Sequence, residues 1–257
     1  MRSSIVKVAD SLGMRPSLVA GRDRLVDLLG GGDRPPTPLE TRNDRDEANL
    51  RFLLAAILRA DSNCIDIGAH TGSVLNEIQR ISPRGSHIGF EPLPDLASRL
   101  RQDFHNVDIR ETALGDEKGE TSFVHDLTNP GYSGLREREY PTADEVTETI
   151  SVTVDRLDDV LPEGYVPDFI KVDVEGGELG VFRGAVDTLR KNKPVIWFEH
   201  GIGAADHYGA RSEDIYDLLV PDVGLRLYDA DGNGPLSRSG FIDLFGAPIW
   251  NFLATPL

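Results

Sequence analysis

The stretch Asn63-Cys64-Ile65-Asp66-Ile67-Gly68-Ala69-His70-Thr71-Gly72 is a short apolar run that stops on a glycine turn. Val74, Leu75, Ile78 and Ile81 follow at the three-and-four spacing of a helix with one buried face. The unit is strand, glycine loop, helix. Upstream, Leu50, Leu53, Leu54, Ile57 and Leu58 mark another amphipathic helix. Downstream, the alternation repeats as His87–Glu91 (strand), Pro94–Phe104 (helix) and Val107–Arg110 (strand). Such an order predicts a parallel sheet with helices on both faces, because parallel strands need crossover connections.

Residues 120–154 break the rhythm. Thr121–Val124 and Thr149–Val154 read as a strand pair around a polar stretch, an insertion that could cover a site through His125, Tyr132 or Ser133. Regular order returns with Asp168–Asp173 (strand), Gly177–Arg190 (helix) and Pro194–Glu199 (strand). A helix at Ile215, Leu218 and Leu219 precedes a strand at Gly224–Tyr228, and Ile249–Ala254 follows as a last strand after a hairpin-like connection. The expectation is a doubly wound, mostly parallel, seven-stranded α/β sheet.

A chain of 257 residues buries a substantial core, so one catalytic domain over residues 39–257 is expected. Gly30-Gly31-Gly32-Asp33-Arg34-Pro35-Pro36-Thr37-Pro38 reads as a linker, which makes residues 1–38 an N-terminal helical extension and linker. The balance of 27 Lys+Arg against 43 Asp+Glu, formally −16, repels phosphate backbones and anionic lipid. Nucleic acid and membrane are therefore not expected as partners. The single cysteine, Cys64, allows no intramolecular disulfide, no apolar run matches a signal peptide or a span, and the cytoplasm is the expected location.

Four of the strands end on acids: Asp66, Glu91, Asp173 and Glu199. In open α/β sheets ligands sit beyond the carboxyl ends of the strands, so these carboxylates should share one crevice. Gly68 gives close backbone approach, Gly72 a tight strand-to-helix turn, and Glu91 can accept both hydroxyls of a ribose. That suits any adenosine cofactor. Asp66 discriminates: it would oppose a pyrophosphate but complement the ammonium and sulfonium of S-adenosylmethionine. The plainer alternatives are that the glycines only end a strand and that Glu91 is a solvated acid.

The sequence resembles the FkbM-type methyltransferases over residues 45–200. The matching stretches are Ile65–Gly72, Gly89-Phe90-Glu91-Pro92, Thr112-Ala113-Leu114-Gly115, Phe169-Ile170-Lys171-Val172-Asp173-Val174-Glu175-Gly176-Gly177-Glu178-Leu179 and Arg183-Gly184-Ala185. Gly177 stands where the family more often has alanine. The resemblance implies a class I (Rossmann-like) methyltransferase fold, S-adenosylmethionine as donor, and O-methylation of sugars, polyketides or related metabolites. It places Asp66, Gly68 and Gly72, with Ala69 in the same loop, around the methionine portion, Glu91 on the ribose, and Thr112 and Ala113 beside the adenine.

Methyl transfer to a hydroxyl needs in-line positioning and removal or acidification of one proton. Two schemes are open. In one, Asp173 and Glu199 bind Mg²⁺, with His200 as their partner, a layout similar to metal-dependent catechol O-methyltransferases. In the other, His200 is the general base and no metal takes part. The acceptor is expected to be a small molecule or glycan, a saccharide or polysaccharide precursor ahead of a polyketide hydroxyl, and a homodimer is an allowed assembly. From other classes, an NAD-dependent oxidoreductase would share the first strand, loop and ribose carboxylate, whereas a non-catalytic scaffold would leave Asp173, Glu199 and His200 without a purpose.

Overall fold

The computed structural model describes residues 38–126, 133–135 and 147–256. The expected extension and linker up to Thr37 lie outside the described residues, as do Tyr132 and most of the polar stretch of the insertion. The chain divides into two compact units, Met1–Thr41 and Arg42–Leu257. The second carries both sheets.

Helix α1 (Pro38–Ile57) begins on Pro38, a residue expected in the linker. Proline suits a first helical position, where its missing N–H would have no partner anyway. Leu50, Leu54 and Leu58 are buried against Cys64, Phe169 and Trp197. Arg42 holds Asp46 at 2.8 Å and Asp231 at 2.8 Å, and Asn49 donates to the Ala230 carbonyl. These contacts fix α1 against the far end of the chain.

The large sheet has seven strands: β1 (Cys64–Ile67), β2 (His87–Phe90), β3 (Val107–Arg110), β7 (Phe169–Val172), β8 (Val195–Glu199), β9 (Arg226–Asp229) and β10 (Asn251–Thr255). Their order is β3-β2-β1-β7-β8-β10-β9, and β10 alone runs against its neighbours. The doubly wound, mostly parallel sheet is the one the sequence pattern predicts, and its order is the class I methyltransferase arrangement that the resemblance implied. The chain winds outward from β1 through β2 to β3, then returns to β7 on the other side of β1. That reversal opens a crevice at the carboxyl ends of β1 and β7.

β1, β2 and β7 are buried along their whole length, as parallel strands covered on both faces must be. The core continues through Phe182, Phe198, Phe241 and Phe252, with Phe182 edge-on to Phe198 at 5.3 Å. The insertion contributes a second sheet, β4 (Ala113–Leu114), β6 (Thr147–Asp155) and β5 (Gly119–Asp126), in which β5 and β6 pair antiparallel.

The helix expected over 177–190 is two helices, α5 (Glu178–Arg183) and α6 (Val186–Asn192), the short α4 (Leu157–Val160) being packed on the second. Asp158 makes the break. Its N–H donates to the Gly184 carbonyl, and its carboxylate accepts from the N–H groups of Asp187 and Thr188. The connection from β9 to β10 is longer than a hairpin and holds a helix, Arg238–Asp243, capped by Ser237. Among the described residues no helix is long and apolar enough to cross a membrane.

Candidate active site

β1 and β7 pair in a register that sets Asp66 opposite Lys171. Both side chains are withdrawn from water: Asp66 is 1 % exposed and Lys171 9 %. The Lys171 ammonium donates to the Gly68 carbonyl at 3.0 Å and lies 3.2 Å from the Asp173 carboxylate and 3.6 Å from that of Asp66. This corrects the expectation for Asp66, which faces a cation of the chain itself and does not line the cavity. Burial lifts its carboxyl to about 6, with Lys171 pulling the other way.

The cavity lies where the reversal predicts. Gly68, Ala69 and His70 line it from the β1 loop, Glu91, Pro92 and Leu93 from the end of β2, and Thr112 and Ala113 from the entry to β4. Lys171, Asp173, Val174, Glu175 and Gly177 form the β7 side, and Phe123, Ser133 and Leu135 of the insertion the third. His125 instead meets Glu148 across the β5–β6 pair. Only glycine fits at position 68: φ is +77° and a Cβ would come within 1.8 Å of the Asp173 carbonyl oxygen. Gly72 is absent from the lining. Its role is packing, since at φ +80° a Cβ would strike the Phe104 ring at 2.4 Å.

Glu91 is 4 % exposed, and its two oxygens accept one backbone N–H each, from His70 at 2.8 Å and from Leu93 at 3.0 Å. Each oxygen keeps a second lone pair for a ligand hydroxyl. Burial raises its carboxyl above the usual range, against those two bonds. Thr112 spends its hydroxyl on backbone carbonyls, Thr153 at 3.0 Å among them.

Asp173, Glu175 and Glu199 each place a carboxylate oxygen within 4.8 Å of the others. Burial disfavours charge on Asp173, but the Lys171 ammonium and a hydrogen bond with Glu199 outweigh it and hold the carboxyl below its ordinary value. Glu199 is driven the other way, its carboxyl raised well above the usual range by burial and by the charges of Asp173 and Glu175. Beneath them Glu178, 1 % exposed, accepts from the N–H groups of Val174 and Gly176 and locks the turn after β7.

His200 is a second correction. It is 1 % exposed, bonded through Nε2 to Ser212 Oγ at 2.9 Å and stacked on Phe241, and it does not line the cavity. Burial lowers its pKa to about 4. The residue after a strand's last acid turns away from the crevice into the core, so adjacency to Glu199 in sequence gave a misleading proximity.

A family profile described as "Methyltransferase FkbM domain" matches residues 66–219, more than half of the chain. The chain belongs to the FkbM methyltransferase family. Over 196 residues it is 24 % identical to 2-O-methyltransferase NoeI of Sinorhizobium fredii, covering 68 % of this chain and 75 % of that one. It is 31 % identical to Methyltransferase 1 of Beauveria bassiana over 150 residues, 49 % of this chain and 59 % of the relative. A solved methyltransferase FkbM from Methylobacillus flagellatus KT aligns at 16 % identity and a TM-score of 0.49, over 80 % of this chain and 47 % of that chain. The chain thus spans less than half of that solved chain. As an FkbM protein it is an S-adenosylmethionine-dependent methyltransferase, and its cavity fits such a donor: Glu91 has free acceptor capacity for ribose hydroxyls, and Leu93, Ala113, Phe123 and Leu135 offer apolar wall.

Sequence reasoning missed Lys171 and Glu175 as cavity residues. Lys171 carried a usable signal, a lone charge inside the apolar run Phe169-Ile170-Lys171-Val172 of a strand buried on both faces, which demands an acidic partner. Glu175 adopts φ +57°, and nothing in the motif marks it except its neighbour Gly176.

Proposed function

We propose that this FkbM protein transfers the methyl group of S-adenosylmethionine to a hydroxyl of a saccharide or polysaccharide precursor, with Asp173 as the base. The observation behind this reading is Asp173 itself: its side chain is 39 % exposed at the cavity, and the ammonium 3.2 Å away keeps it ionised. When bound, the donor supplies an electrophilic methyl on a sulfonium. Glu91 would hold its ribose, Gly68, Ala69 and His70 would border its methionine part, and Thr112 and Ala113 its adenine. Asp173 accepts the proton of the acceptor hydroxyl as the oxygen attacks, and the neighbouring Glu199 carboxyl steadies it. A saccharide is favoured because a hydroxyl-rich acceptor suits the polar insertion, and because the NoeI relative is named a 2-O-methyltransferase. The acidic cluster of Asp173, Glu175 and Glu199 disfavours nucleic acid.

Asp173, Glu175 and Glu199 as oxygen ligands of Mg²⁺ are the competing scheme. A cation there would have to compete with the Lys171 ammonium, 3.2 Å from Asp173, which puts the metal-free base ahead. The test is to incubate the protein with methyl-labelled donor and separate panels of saccharides and polyketide alcohols, with and without chelator, locating the label by mass spectrometry and NMR. Label on a saccharide oxygen, unaffected by chelator, is expected. Label confined to nitrogen, carbon or a polyketide hydroxyl would overturn the acceptor assignment, and chelator-sensitive transfer the mechanism.

A further inference from the structure

One side chain touches both halves of the cavity. Lys171 Nζ donates to the Gly68 carbonyl at 3.0 Å, in the loop that borders the donor, and sits 3.2 Å from Asp173 Oδ2, on the acceptor side. Its third neighbour is Asp66 Oδ1 at 3.6 Å, reached because the β1–β7 register places the two residues side by side. Two acceptors, Gly68 O and Asp173 Oδ2, stand closest to this ammonium, and Asp66 faces it from further off as a counter-charge. We propose that Lys171 is the positioning residue of the site, a cross-strand tie that fixes the Gly68 loop relative to the Asp173 carboxylate. The half of the proposal that concerns Asp173 rests on its reading as the base.

The geometry explains why a charge is spent inside a buried strand. The Gly68 loop leaves β1 at a positive φ, and the Asp173 carbonyl presses so close that no side chain fits between them. The two loops therefore meet backbone to backbone, and a rigid link at that contact sets the separation of donor seat and base. Asp66, with no hydrogen-bond donor on either oxygen, supplies the counter-charge that keeps the ammonium in place. Burial alone would lower the lysine's pKa, but Asp173 and Asp66 outweigh it and hold the group charged.

The test compares Lys171→Met with the double variant Asp66→Asn/Lys171→Met, in which no Asp66 charge is stranded. Calorimetry with S-adenosylhomocysteine should give a loss of about tenfold in both, the scale of one charge-assisted hydrogen bond. Amide hydrogen exchange of the protein without ligand should speed up across residues 68–72 and stay unchanged in β8 and β10. In a double-mutant cycle on turnover, Lys171→Met should slow the wild type but add nothing to Asp173→Asn, because it acts through that carboxylate. Affinity within twofold together with unchanged loop exchange would overturn the tie, as would additive losses in the cycle. Should Lys171→Met fail to fold, the double variant decides; unfolding of both would make Lys171 a residue of the fold and refute the proposal. A fully active Asp173→Asn would remove the base reading alone, since affinity and exchange in the Lys171 variants still report on the loop.

Discussion

Glu91 and Asp173 are carboxylates at strand ends on two sides of one cavity, and they are held in opposite ways. Backbone N–H groups grip Glu91 at 2.8 and 3.0 Å, so it is as rigid as the loop around it. Asp173 is held by other side chains, the Lys171 ammonium at 3.2 Å on one side and the Glu199 carboxyl on the other, and more than a third of it is exposed. In the proposed mechanism the carboxylate fixed by backbone seats the donor, and the open one, placed at the cavity by Lys171, takes the acceptor's proton.

The largest effect should come from the open one. Asp173→Asn is expected to lower turnover by about 10²–10⁴, the usual contribution of a positioned base, while affinity for S-adenosylhomocysteine stays within about threefold. Label transfer and calorimetry on the same preparation check both. Retained turnover would erase the distinction. Glu91→Ala should do the reverse, weakening donor affinity roughly 10–100-fold, the worth of one or two hydrogen bonds to a charged acceptor. It should also cost about 2 kcal/mol in denaturant melts, because the N–H groups of His70 and Leu93 lose their buried acceptor.

Glu178 sharpens the picture from beneath. Its folded-state pKa is raised by burial from 4.5 to about 7. Below 4.5 the folded and unfolded chains are both protonated there; between 4.5 and 7 the folded state holds a proton that the unfolded one has released, so stability falls as pH rises through this window. The decline should be roughly 1–3 kcal/mol. Thermal melts from pH 4 to 8 should show a flatter profile for Glu178→Gln, whose amide oxygen still accepts from Val174 and Gly176; an unchanged slope would place the titration elsewhere. Smaller still, His200→Ala should leave turnover within about threefold and lose its hydrogen bond to Ser212 and its packing on Phe241, measured as about 1–3 kcal/mol of stability. Exhaustive chelation should change turnover less than either.

The fold was legible because its signal is local. The β1 loop, the three-and-four spacing after Gly72 and the alternation through Val107–Arg110 each declare an element, and strand ends converge by topology alone. The place of Glu91 at the end of β2 was equally readable, since it depends on spacing along two neighbouring strands. What failed depended on which way a side chain turns. Asp66 seemed free to meet a ligand until the register gave it Lys171, and His200 seemed to share a task with Glu199 until the chain turned it onto Phe241 and Ser212. The split of the 177–190 helix was hidden for a similar reason, because the Asp158 carboxylate that breaks it lies far off in sequence.

The division of labour between the two carboxylates is tested most directly by titrating S-adenosylhomocysteine into wild type, Glu91→Ala and Asp173→Asn side by side. The account predicts a weakened isotherm for Glu91→Ala and a near-native one for Asp173→Asn, although only the latter has lost its base. Equal weakening in both variants, or none in Glu91→Ala, would contradict it.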